Sequence, residues 1–166
     1  MKKIFLLILF SAFLVSCGSS RKTTSSSKSS SSSSKKVSNK KSEAVVKYAK
    51  TFEGTRYKFG GTTKKGMDCS GLVYTSYKKE GIEMPRISRD MATKGKRISL
   101  GKATKGDLVF FKTNKNKNTI NHVGLVVENN HGEIFFIHST SSLGVIISSL
   151  EERYWKNAFV EVRRIL

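Results

Sequence analysis

The sequence predicts an α+β domain in which helices come first and an antiparallel sheet follows. Three observations carry this. Apolar residues recur at helical spacing before residue 80, β-rich runs crowd together after Gly106, and asparagine and glycine turns separate those runs. A first helix is predicted over Ser42 to Phe52. Ser42 caps it, Val45, Val46 and Ala49 form its stripe, and Gly54 ends it. The stretch "YKFGGTTKKG" from Tyr57 reads as a glycine-rich loop. A second helix is predicted over Cys69 to Glu80, with Asp68 as N-cap, Leu72, Val73 and Tyr77 on the buried side, and Gly81 as the stop. A brief helix capped by Ser88 runs through Thr93. The strand candidates are "DLVFFK", "HVGLVVE", "EIFFIHS" and "GVIISS", with a hairpin turn at "NNHG" from Asn129. "LEERYW" reads as a short helical connection and "FVEVRRIL" as a closing strand.

Composition divides the 166 residues into three zones. Lys2 and Lys3 precede "IFLLILFSAFLV", whose twelve residues reach roughly 18 Å as a helix, short of the ~30 Å hydrocarbon core. This pattern is that of a signal peptide over residues 1–16. Residues 18–41 contain twelve serines, with scattered lysine and no acid, and read as a flexible tether after Cys17. Residues 42–166 are the candidate folded domain. Nine of the 31 basic residues and none of the 12 acidic ones lie before Ser42, so the domain carries +10 of the net +19. A basic surface suits an anionic partner: a membrane face, an acidic polymer or nucleic acid. No nucleic-acid motif is present, and the export signal points away from the cytoplasm, so nucleic acid is not expected.

The two cysteines sit in different settings. Cys17 closes the apolar segment in "LVSC". If it is spent as an anchor, Cys69 is left as a lone thiol in an oxidising compartment, where nucleophilic catalysis is the leading explanation. Cys69 stands at a predicted helix N-terminus, where the dipole and free amides favour a thiolate. Burial as a small hydrophobe is the competing fate. His122 opens the "HVGLVV" strand and is the candidate base; a surface loop histidine is the alternative. Ile134, Phe136 and His138 alternate onto one strand face, so His138 is either a buried, hydrogen-bonded residue or the group that orients His122. His131, in the turn, is expected to be exposed and idle. Three histidines and one thiol lack tight metal-ligand spacing, so no metal or other cofactor is expected.

The motifs "YKFGG", "DCSGLV", "PRISRDM", "GDLVFF", "HVGLVV" and "FIHSTSSLGV" occur in the order seen in NlpC/p60-type cell-wall peptidases, and the chain resembles that family from about Val45 onward. The layout of signal, tether and single domain is similar to the small Spr-type lipoprotein endopeptidases. The resemblance implies a papain-like NlpC-type fold that cuts peptidoglycan stem peptides, with Cys69 as nucleophile, His122 as base and His138 as orienting residue. Tyr57 matches the family's active-site tyrosine, whose hydroxyl lies near the nucleophile and is expected to help bind substrate or the oxyanion. Asp68 and Ser70 match positions that hold a stem-peptide amine in some relatives, and Arg86 is a candidate for a substrate carboxylate. Helix capping by Asp68 and a salt bridge by Arg86 are equally good readings of those two. "LVSC" resembles a lipobox, which implies lipidation of Cys17 and attachment to a membrane, and Gly18 favours the outer membrane facing the periplasm. A monomer is expected. Two bonds remain open, the D-alanyl–diaminopimelate cross-link and the γ-D-glutamyl–diaminopimelate bond, as does a non-catalytic lipoprotein that binds wall or lipopolysaccharide.

Overall fold

The computed structural model describes residues 29–114 and 116–166. The apolar segment, Cys17 and residues 18–28 of the expected tether lie outside them. Helix α1 spans Ser29–Lys50, beginning thirteen residues before the expected Ser42 start, so the later part of the expected flexible tether is helical. Ser42 therefore sits inside the helix rather than capping it. Packing explains only the second half: Val45, Val46 and Ala49 are buried, whereas Lys35, Lys36, Lys40 and Lys41 are exposed. After Lys50 the chain tightens through bonds from Thr51 N–H to Tyr48 O and from Phe52 N–H to Ala49 O. Gly54 then takes a φ of 80° and donates its N–H to Val145 O, tying the helix exit to the sheet.

The glycine-rich loop contains a two-residue ladder that the sequence did not announce, β1 (Thr62–Thr63) against β2 (Gly66–Met67). Helix α2 (Cys69–Lys79) follows at once, with Asp68 as N-cap as predicted. Its stripe of Leu72, Val73 and Tyr77 is fully buried. Helix α3 (Ser88–Met91) is brief, and Ile87 rather than Ser88 occupies its N-cap without a side-chain bond. The unpredicted strand β3 (Lys96–Ile98) leads into a 3₁₀ turn at Leu100–Lys102.

The remaining strands are β4 (Leu108–Phe111), β5 (His122–Asn130), β6 (Glu133–Thr140) and β7 (Gly144–Ser149). Helix α4 (Arg153–Ala158) and strand β8 (Phe159–Arg164) close the chain. They join β3 in one six-stranded sheet of order β3-β8-β4-β5-β6-β7, antiparallel at every pair. The β5–β6 hairpin turns at His131 and Gly132, both with positive φ, as the "NNHG" signal required. His131 is exposed.

Strand alternation sends side chains to two cores. Leu108, Phe110, Val123, Leu125 and Ile137 face α1 and α2. Val109, Phe111, Val126, Phe136 and Val162 face the other way, where Trp155 of α4 covers them. The fold is thus α+β, with the early helices against one face of an antiparallel sheet.

Candidate active site

Asp68 fixes the start of α2 by extended backbone geometry and by accepting the Gly71 N–H at 2.6 Å. The same carboxylate accepts the Gly60 N–H at 2.7 Å and a two-pronged contact from Arg86, at 2.9 Å to Oδ1 and 2.8 Å to Oδ2. Arg86 also donates to Ser70 Oγ at 2.9 Å. Burial alone pushes the Asp68 carboxyl up; hydrogen bonds from Arg86 and the Gly71 and Gly60 amides, with the Arg86 charge, outweigh it and hold the carboxyl below the usual range. Asp68, Ser70 and Arg86, three of the four residues expected to meet substrate, are therefore joined to one another, apart from Tyr57. Capping by Asp68 and its salt bridge with Arg86 are both realised.

Gly71 of the "DCSG" motif has a packing reason. A Cβ there would collide with the Gly61 carbonyl and crowd Asp68 and Arg86. Gly124 of "HVG" is likewise required, because a Cβ would strike the Phe136 ring.

Cys69, the first residue of α2, is a free thiol partly open to a cleft of about 530 Å³. Tyr57, His122, Ser139, Leu143 and Trp155 line the same cleft. The backbone amides of Val123, Ser70 and Cys69 itself favour its thiolate. Burial nevertheless pushes the Cys69 thiol up, and the charge of Asp68 adds to it. The helix start was expected to favour a thiolate; here desolvation is the larger effect. Tyr57 is raised by burial, then by Cys69 and Asp68, so its phenol keeps its proton as a donor.

His122 opens β5 as predicted and is 9% exposed. Its Nε2 lies 2.9 Å from His138 Nδ1, and His138 Nε2 lies 3.1 Å from Ser148 Oγ. His138 is fully buried on the face of β6 that carries Ile134 and Phe136, as the alternation predicted. Burial pushes His122 down to about 4, and burial together with His122 pushes His138 down to about 2. Both rings are neutral at neutral pH.

Sequence reasoning missed two members of this site. Ser148 was read only as part of a β-rich run. Trp155 was read only as part of a helical connection, although an aromatic in a short connector between strands signals a side chain folded back onto the sheet. Larger concavities beside α1 and along β3 are lined by Lys35, Lys105, Lys96 and Arg97, away from this thiol and these imidazoles.

The model of the NlpC/P60 family matches residues 54–164. The chain belongs to the NlpC/P60 family. It is 42% identical over 127 residues to an Escherichia coli K12 protein named murein DD-endopeptidase MepS/murein LD-carboxypeptidase, covering 76% of this chain and 63% of that one. A Haemophilus influenzae protein named probable endopeptidase NlpC homolog is 43% identical over 114 residues, covering 68% of this chain and 57% of that one. The chain thus spans about three-fifths of the length of these NlpC/P60 relatives. A solved NlpC/P60 family protein from Bacillus cereus superposes with a TM-score of 0.68 at 30% identity, over 75% of this chain and 40% of that one. The papain-like α+β architecture expected from the motifs is the architecture of the family. Among the described residues, no helix is long and apolar enough to cross a membrane.

Proposed function

We propose that this chain is a peptidoglycan endopeptidase that hydrolyses amide bonds of murein stem peptides through Cys69, His122 and His138. The observation that carries the reading is the convergence on one cleft of a free thiol at a helix start and His122, which is bonded to the buried His138. With His122 Nε2 engaged by His138, Nδ1 is the nitrogen available to the thiol. For Nδ1 to accept a proton, Nε2–H must donate to His138 Nδ1, and His138 Nε2–H then donates to Ser148 Oγ. Both bonds fit that one tautomer set.

The Cys69 sulfur attacks the peptide carbonyl while its proton passes to His122 Nδ1. The new C–S bond leaves an oxyanion facing backbone N–H groups at the α2 start, including that of Cys69. His122 then gives the proton to the leaving amine, the C–N bond breaks and a thioester remains. Water, losing a proton to His122, opens the thioester to the acid and returns the thiol. Because burial keeps both partners neutral at rest, proton transfer accompanies attack rather than preceding it.

Tyr57 donates to substrate or to the oxyanion. Asp68, Ser70 and Arg86 hold the α2 start and the loop beside it, and meet the charged groups of the stem peptide. The name of the Escherichia coli relative favours the D-alanyl–diaminopimelate cross-link over the γ-D-glutamyl bond. The domain's +10 charge suits a polymer bearing carboxylates. Lipidation of Cys17 anchors the chain in the outer membrane, facing the periplasm, as a monomer.

Digestion of purified sacculi with the full chain, followed by mass spectrometry of the soluble muropeptides, tests the reading. Cross-linked dimers should fall to monomers, and Cys69→Ala should release nothing. A shortened stem ending in free D-glutamate selects the other bond. Release unchanged by Cys69→Ala, or none by the parent, overturns the catalytic reading and leaves a wall-binding lipoprotein.

A further inference from the structure

We infer that Trp155 is a positioning residue for the base. Its indole lies flat against His122, fixes that ring's plane and closes the His122–His138 hydrogen bond to water. The inference rests on the reading of His122 as base.

The ring centroids of Trp155 and His122 are 5.1 Å apart with planes 22° from parallel. The same indole meets His138 edge-on at 4.5 Å and 82°. One side chain therefore covers both imidazoles of the pair. Trp155 is itself held from behind, by Phe111 at 5.1 Å and Phe136 at 5.5 Å, and is 7% exposed. Its height over the sheet is set by α4, whose N-cap Glu152 accepts the Ser149 N–H at 2.9 Å.

Such a cover is needed because of what faces His122. Cys69 of α2 shares its cleft, His138 of β6 bonds it, Phe111 of β4 flanks it and Trp155 of α4 stacks on it. The other ionisable groups on the cleft are Tyr57, Glu152 and Tyr154, and none of them bonds either imidazole among the described residues. Among the described residues no carboxylate pins the base, so its orientation depends on one neutral hydrogen bond and on the surface beneath the ring. A wet His122 would hydrogen-bond water through Nε2 and turn Nδ1 from the sulfur. The dry setting also agrees with the downward displacement of both imidazoles.

The test compares Trp155→Phe, Trp155→Leu and Trp155→Ala in the full chain, by NMR titration of the His122 Cε1–H resonance and by kcat and KM on a cross-linked muropeptide. The titration reads the inference whether or not murein is the substrate, so its failure is distinct from failure of the proposed function. In Leu and Ala variants the His122 midpoint should rise by about one pH unit or more toward the ordinary ~6.5. Their kcat should fall by about tenfold or more with KM little changed, and Phe should lie between them and the parent. A purely structural role predicts activity falling in step with the folded fraction and a midpoint that does not move. Folded Leu and Ala variants with the parent's midpoint overturn the inference, and so does a Leu variant that cannot fold. If only the Ala variant fails to fold, the Leu variant decides.

Discussion

Cys69 shows how two residue-level forces compete. The α2 start and three backbone amides pull toward thiolate, while burial and Asp68 push toward thiol, and the push is larger. Iodoacetamide alkylation of Cys69 is therefore expected to follow a midpoint above the ordinary thiol value of ~8.5. A midpoint well below it that depends on His122 would mean an ion pair forms before substrate binds. In the proposed mechanism His138 acts one step further out, through His122. His138→Ala should lower kcat by about 10²–10⁴-fold, the scale of losing an orienting partner, while His122→Ala/His138→Ala should be no worse than His122→Ala. Additive losses would give His138 a separate role.

At the scale of elements, α2 is the part whose placement matters most. Asp68 caps it, Arg86 holds the cap, and Gly71 lets it sit against Gly61. Arg86→Ala leaves a buried carboxylate short of its charge partner and should cost about 1–3 kcal/mol, read as a lower midpoint in urea. Gly71→Ala should cost at least as much, although alanine is the better helix former, because the collision is with backbone. A Gly71→Ala protein as stable as the parent would show that the Gly61 loop yields freely. These elements were legible because their signals are local: a capping aspartate before an apolar stripe, β-rich runs between turn residues for β4 to β7, and the "NNHG" turn. Strand β3 was not, since three residues with two exposed basic side chains carry no apolar pattern. The early start of α1 was not, since serine and lysine give no stripe before Val45.

For the whole molecule, two buried neutral histidines make folding sensitive to acid. The unfolded chain binds their protons near the ordinary ~6.5, whereas the folded chain resists until about 4 for His122 and about 2 for His138. Between those values the unfolded state carries more protons, so stability falls as pH drops from ~6.5 toward 4 and below. Thermal midpoints should fall across that window, and a flat profile between pH 7 and 4.5 would contradict the burial of the pair. The candidate site was legible as a set, since Cys69, His122 and His138 each stand at the edge or on the face of an element. What joins them was not, because the contacts of Trp155 and Ser148 with the imidazoles arise only when α4 and β7 pack beside β5 and β6.

The central claim is that the Cys69 sulfur forms a bond to the substrate acyl group. Acid quenching of the full chain during turnover of a cross-linked muropeptide, followed by intact-mass and peptide mapping, tests it directly. The account predicts an adduct of one stem-peptide acyl group on the peptide containing Cys69, absent from Cys69→Ala. Turnover that proceeds equally in Cys69→Ala, with no adduct on either chain, would contradict it.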